Sequence, residues 1–187
     1  MDTRTNLSAA GHLNLVQAFS ALSTRVDTLI VDTSEGISHS VVQFVQASQH
    51  VLLVVCDEPA SMTDAYALAK VMSRNHGVNK FNVVANMVRA PGEGTALFEK
   101  LQRVTTRFLD VTLEYMGEIP KDSYMRRAIR EQRPVVAAFP ASPASRAFKK
   151  LAAKADKWPV PEGPRGNLEF FVERLVRKPQ VRLEVVR

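Results

Sequence analysis

VLLVVCDEPASMTDAYALAKVM, residues 51–72, decides how this chain folds. Its first six residues are nearly all apolar. That is the pattern of a strand covered on both faces of a parallel sheet. A polar turn follows, and then a helical pattern over 61–75, with Ser61 as N-cap and Asp64 three residues on. The same strand-then-helix unit recurs outward in both directions. DTLIVD (27–32) reads as a buried strand before a helix over 37–48. FNVVANMV (81–88) reads as a strand before a helix over 93–109, with Leu97, Leu101, Val104 and Phe108 on one stripe. TLEYMGEIP (112–120) reads as a fourth strand. Repeats of this kind every 25–30 residues or so predict a mostly parallel, doubly wound α/β sheet.

The flanks are helical. LNLVQAFSAL (13–22) places Leu15, Phe19 and Leu22 on one side. WPVPEGPRG (158–166) reads as a Pro/Gly-rich linker. Beyond it, NLEFFVERLVRK sets Leu168, Phe171, Val172, Leu175 and Val176 on one face, with charged residues mostly opposite. That pattern suits an interfacial helix on an anionic membrane, and equally a helix packed on its own domain or a partner. The expected organisation is an α/β body over 1–157, a linker over 158–166, and an amphipathic helix and tail over 167–187.

Composition narrows the function. Of 187 residues, 45% are hydrophobic and 24% charged, which excludes a collagen-like or wholly disordered chain. No apolar run reaches the roughly 18 residues of a spanning helix. The N-terminus lacks a basic start followed by an apolar stretch, so no secretory signal is expected. Cys56 is the single cysteine and sits in an apolar run, which makes it a structural thiol. His12, His39, His50 and His76 have no ligand spacing, so metal catalysis is not expected. A reducing, cytoplasmic setting fits. The net charge of +6 is concentrated: residues 121–157 hold ten basic and three acidic side chains. Such a segment favours acidic partners, or is a solvated face. Arg126, Arg127, Arg130 and Arg133 share that stretch. Without interleaved aromatics or a DNA-binding motif, direct DNA binding is not expected.

In open α/β sheets ligands bind beyond the carboxyl ends of the strands. The first such end is VDTSEGI (31–37). Asp32 there can serve a Mg²⁺ shell and Gly36 can approach a phosphate, or the segment is a turn and helix cap. Asn86 ends the third strand, where an amide can meet a purine edge or cap a loop. IPKD (119–122) ends the fourth.

Taken together, VDTLIVDTSEGI, VLLVVCDEPASMTDAYALAKVM, VVANMV, GEIPKD, AFPASPASRAFKKLA and RGNLEFFVERLV resemble the MinD/ParA-type ATPases with a deviant phosphate loop. Within these they are most similar to the flagellar-number regulators, FlhG and FleN. The resemblance runs from about Leu13 to Val176. It implies a P-loop NTPase-like fold, slow hydrolysis of ATP with Mg²⁺, and a face-to-face homodimer. It implies a switch II segment at Asp32, Thr33 and Gly36, with Asp32 on the metal through water. Asn86, Pro120 and Asp122 would lie beside adenine, and Leu168, Phe171, Val172 and Leu175 would face the inner membrane. The implied partners are the flagellar master transcriptional activator and the flagellar GTPase.

Two departures qualify this. The chain has no G-x-x-x-x-G-K-[ST], and none of its eight glycines precedes a lysine. Backbone N–H groups and a lysine supply most of the charge stabilisation at a triphosphate. The chain therefore reads as the C-terminal two-thirds of such an ATPase, without competent ATP binding alone. Glu35 stands where the family usually has a small residue, and its charge would repel a phosphate. The other readings are a nucleotide-free interaction module, or truncated paralogue, and a partition-type relative that associates with DNA.

Overall fold

The computed structural model describes residues 28–159, together with Ala18. Two compact units divide the chain, and each is taken by itself. In the first, helix α1 (His39–Ala47) opens on Ser38, whose hydroxyl accepts from the Val41 N–H. Val41, Val42, Val45 and Ala47 are its buried residues. The helix matches the sequence expectation over 37–48.

The second unit holds the sheet. Its elements are β1 (Leu52–Val55), α2 (Pro59–His76), β2 (Lys80–Val88), α3 (Glu93–Phe108), β3 (Thr112–Pro120), α4 (Ser123–Arg130), α5 (Val135–Ala138) and α6 (Pro143–Ala155). The strands are parallel, in the order β1-β2-β3. The fold is the mixed α/β class with a parallel sheet that the sequence predicts. β2 lies in the middle, and Phe81 through Ala85 are all buried, because helices cover both its faces.

β1 behaves differently. Leu52 and Val54 are 47% and 53% exposed, so only alternate residues enter the core. Among the described residues β1 pairs on one side only, with β2. An apolar run marks a strand, but its neighbours decide how many faces are covered. The stretch 27–32 makes the same point. Residues 28–34 form no strand, and Ile30 is 86% exposed. A parallel strand exists only where a ladder partner satisfies its backbone. Residues 28–32 have no such partner among the described residues. Of the predicted four strands, three form among the described residues.

Two helix details also shift. α2 begins at Pro59, with Glu58 at the N-cap and no side-chain cap. Proline suits the first helical turn, where its missing N–H costs nothing. Ser61 instead accepts a hydrogen bond from the Cys56 N–H at 3.0 Å. The buried stripe of α3 is Gly94, Leu97, Leu101 and Thr105. Val104 and Phe108, expected on that stripe, are 42% and 55% exposed. The Thr105 hydroxyl bonds back to the Leu101 and Gln102 carbonyls, which lets a polar residue fill the buried position.

Gly94 brings the start of α3 against β3. A methyl group there would run into the Glu118 carboxylate and the Tyr115 hydroxyl, and would sit 2.9 Å from Glu118 Cβ. Gly94→Ala is therefore expected to destabilise the protein by about 1–2 kcal/mol, despite the entropic gain of removing a glycine. Urea unfolding checks it; an unchanged or raised midpoint would show that this contact gives way freely.

Trp158 closes the second unit. It packs on a cluster of Val84, Met116, Ile119 and Ala144, with Met125, Phe148 and Leu151 beside it. Its ring stacks on His50 at 4.7 Å between centroids. Trp158, the first residue of the expected linker, groups with the second unit. Apart from Ala18, the helix expected over 13–22 lies outside the described residues, as does the tail over 167–187.

Candidate functional site at the strand tips

The carboxyl ends of the three strands converge. β2 carries a bulge at its tip: Asn86 pairs with Ile119 and Val88 with Pro120, leaving Met87 unpaired between them. Met87 takes a left-handed conformation, φ 59, which a side chain rarely adopts. The Asn86 side chain supports it, its Oδ1 accepting the Met87 N–H at 3.0 Å. Bulges and left-handed residues gather where a strand end must be re-aimed. The Asn86 NH₂ has no partner among the described residues.

β3 ends alongside. The Lys121 N–H donates to the Val88 carbonyl at 2.8 Å, extending the ladder past Pro120. Asp122 then turns the chain. Its Oδ1 accepts the Tyr124 N–H at 2.9 Å and caps α4. Its Oδ2 accepts the Ala144 N–H at 2.9 Å and holds the first turn of α6. One carboxylate therefore fixes two helix starts, where the helix dipoles also favour negative charge. A buried serine pair completes the joint: Ser142 caps α6, and the Ser145 hydroxyl reaches the Val135 and Phe139 carbonyls at 3.0 and 2.7 Å.

Asn86, Pro120 and Asp122, expected beside a base, thus meet on adjoining strand tips. Asp32 and Thr33 lie in irregular backbone ahead of α1 and are exposed. Gly36 has φ 90, a conformation that favours glycine. Leu168, Phe171, Val172 and Leu175 lie outside the described residues.

Beside Asn86 is a cleft lined by Cys56, Asp57, Glu58, Met87, Val88, Arg89, Glu93 and Leu97. Its accessible space is about 20 Å³, little more than one water occupies. Glu93 closes the loop above it, its carboxylate accepting the Arg89 and Ala90 N–H groups. Those bonds hold its carboxyl below the ordinary range. Cys56 is partly exposed rather than buried. Partial burial and then the charge of Glu58 push its thiol up, which disfavours the nucleophilic thiolate. Lys100 lies 3.9 Å from Asp57, an exposed pair of little weight.

Tyr115 sits where α3 meets β3. Burial, and then the negative charge of Glu118, push its hydroxyl up to about 12. The hydroxyl donates to Glu118 Oε2 at 3.3 Å. A folded pKa raised above the unfolded value gives stability that is full below the unfolded pKa of about 10 and is lost as pH rises towards about 12. Alkaline unfolding should therefore steepen over that window, and Tyr115→Phe should remove the steepening. A Tyr115→Phe profile superimposable on the parent would overturn the assignment.

For ATP with Mg²⁺ the fit is partial. Asn86 and Pro120 offer an amide edge and an apolar surface suited to a base. Both Asp122 oxygens already hold backbone N–H groups. The chain as given has no Gly-Lys pair for phosphates. Among the described residues no three of His, Cys, Asp or Glu gather as a metal site. No helix among them is long and apolar enough to cross a membrane.

A parallel α/β sheet with polar loops at its strand tips is the architecture in which open α/β folds place their ligand sites. The chain belongs to the ParA family, described as NUBPL iron-transfer P-loop NTPase, whose model matches residues 14–156. It is 58% identical over 174 residues to the antiactivator FleN of Pseudomonas aeruginosa, covering 93% of this chain and 62% of that protein. It is 31% identical over 157 residues to the flagellum site-determining protein YlxH of Helicobacter pylori, covering 81% of this chain and 52% of that one. The chain thus spans less than two thirds of either relative. The solved structure of the MinD cell division protein of Aquifex aeolicus shares the fold, with a TM-score of 0.62, 19% identity, and coverage of 81% of this chain and 62% of that chain.

Proposed function

We propose that this protein regulates the number and placement of flagella, as an antiactivator of the MinD/ParA class that restrains flagellar gene activation. The 58% identity to FleN across nearly the whole chain carries this reading. The match to YlxH supports it from a more distant relative. In a form that binds ATP·Mg²⁺, the base would lie at Asn86, Pro120 and Asp122, and the metal water shell at Asp32, with Thr33 and Gly36 moving as the switch. ATP would favour a homodimer and expose the apolar face of Leu168, Phe171, Val172 and Leu175 to the inner membrane surface. The flagellar master activator and the flagellar GTPase are the proposed partners. The test is to delete the gene in its own cells and count flagella by electron microscopy. More flagella per cell are expected; an unchanged count overturns the reading.

A second reading has its own support. Both Asp122 oxygens already hold backbone N–H groups, which suits a chain that titrates a partner without nucleotide turnover. Equilibrium dialysis against ATP·Mg²⁺ separates the two, retention supporting the switch and none supporting the titrating module.

A further inference from the structure

The basic segment contains one face that the fold leaves uncompensated. On α4, Ala128 is buried and Met125 packs into the core. Away from these, Arg126, Ile129 and Arg130 share one stripe at i, i+3 and i+4. Ile129 is 67% exposed, and both arginines are exposed. The helix then ends in a tight turn. Gln132 takes a left-handed φ of 49, while the Gln132 and Arg133 N–H groups donate back to the Ile129 and Ala128 carbonyls. That turn fixes exposed Arg133 just past the stripe. Val136, 36% exposed, follows on α5.

Among the described residues the charges have no free acid to meet. Asp122 is committed to two helix starts, and Glu131 is paired with Arg127 at 3.0 Å. Arg126, Arg130 and Arg133 form no ion pair among the described residues. Three exposed arginines therefore surround an exposed isoleucine with no ion pair among the described residues.

We propose that this face, Arg126, Ile129, Arg130 and Arg133, docks an acidic protein segment that carries one apolar anchor residue. The arginines would pair with its carboxylates, and Ile129 with Val136 would receive the anchor. Arginine around an apolar centre is the composition of interface hot spots. Nucleic acid fits less well. Phe139 already meets Arg127 at 5.0 Å and Tyr124 at 5.0 Å between centroids, which leaves Tyr124 as the one exposed ring on α4 rather than a run of stacking aromatics. Phosphates would also gain nothing from Ile129 and Val136. A bilayer fits less well too, because α4 has eight residues and its apolar side already faces the core.

The test is fluorescence anisotropy on the full chain. The probes are a labelled Asp/Glu-rich peptide with one central Leu, the same peptide with Ala there, a random DNA duplex, and phosphatidylglycerol vesicles. The Leu peptide is expected to bind best. Ile129→Ala, and Arg126→Gln with Arg130→Gln, should each weaken it by about tenfold or more. Both variants change exposed positions, so their unfolding midpoints should match the parent and exclude misfolding as the cause. Absence of peptide binding, equal binding by the variants, or tighter binding of duplex or vesicles overturns the proposal. This face does not depend on the flagellar reading, so either can fail alone.

Discussion

Asp122→Ala should lower the unfolding free energy by about 2–3 kcal/mol. The substitution removes the N-cap of α4, a loss of about 1 kcal/mol. It also strands the Ala144 N–H, part-buried at the start of α6, at a further cost of about 1–2 kcal/mol. Asp122→Asn keeps one good acceptor and should lose about half as much. Trp158, the single tryptophan, packs beside Ala144 and reports the transition by fluorescence. A loss under about 0.5 kcal/mol for Asp122→Ala would mean that water replaces the carboxylate at both helix starts.

Trp158→Ala should cost a similar amount, about 2–3 kcal/mol. Complete burial would set the loss at about 3–5 kcal/mol. Trp158 is only partly buried, so part of its surface is already in water. What disappears is its contact with the Val84, Met116, Ile119 and Ala144 cluster and its stack on His50. Because the fluorophore goes too, urea unfolding is followed by circular dichroism. Trp158→Phe should recover much of the loss. If Trp158→Ala is as stable as the parent, residue 158 does belong to a linker.

The sheet was legible where burial on both faces coincides with an apolar block, as in β2, and where β-formers end at a proline, as in β3. It was misleading where an apolar run depends on neighbours remote in sequence. Leu52, Val54 and Ile30 look like core residues in one dimension and are exposed in three. Helical periodicity places α3 and the Leu97 and Leu101 part of its stripe, but not the rest, because Thr105 can satisfy its own hydroxyl within the helix and take the buried place. At the site, the family pattern singles out Asn86, Pro120 and Asp122, which lie on or next to adjoining strand tips. The double duty of Asp122 was only half visible. Asp before Ser-Tyr is a readable cap, but its second bond spans 22 residues. The Ser142-Pro143 start of α6 carried a plain signal, serine at the cap with proline in the first turn, that was there to be read.

The shared carboxylate of Asp122 makes α4 and α6 a single mechanical lever hinged on the tip of β3. A push at the strand end reaches both helix starts at once, and neither can swing while the other stays tied. In amide hydrogen exchange the Tyr124 and Ala144 protons should therefore open in concert, although they stand on different helices.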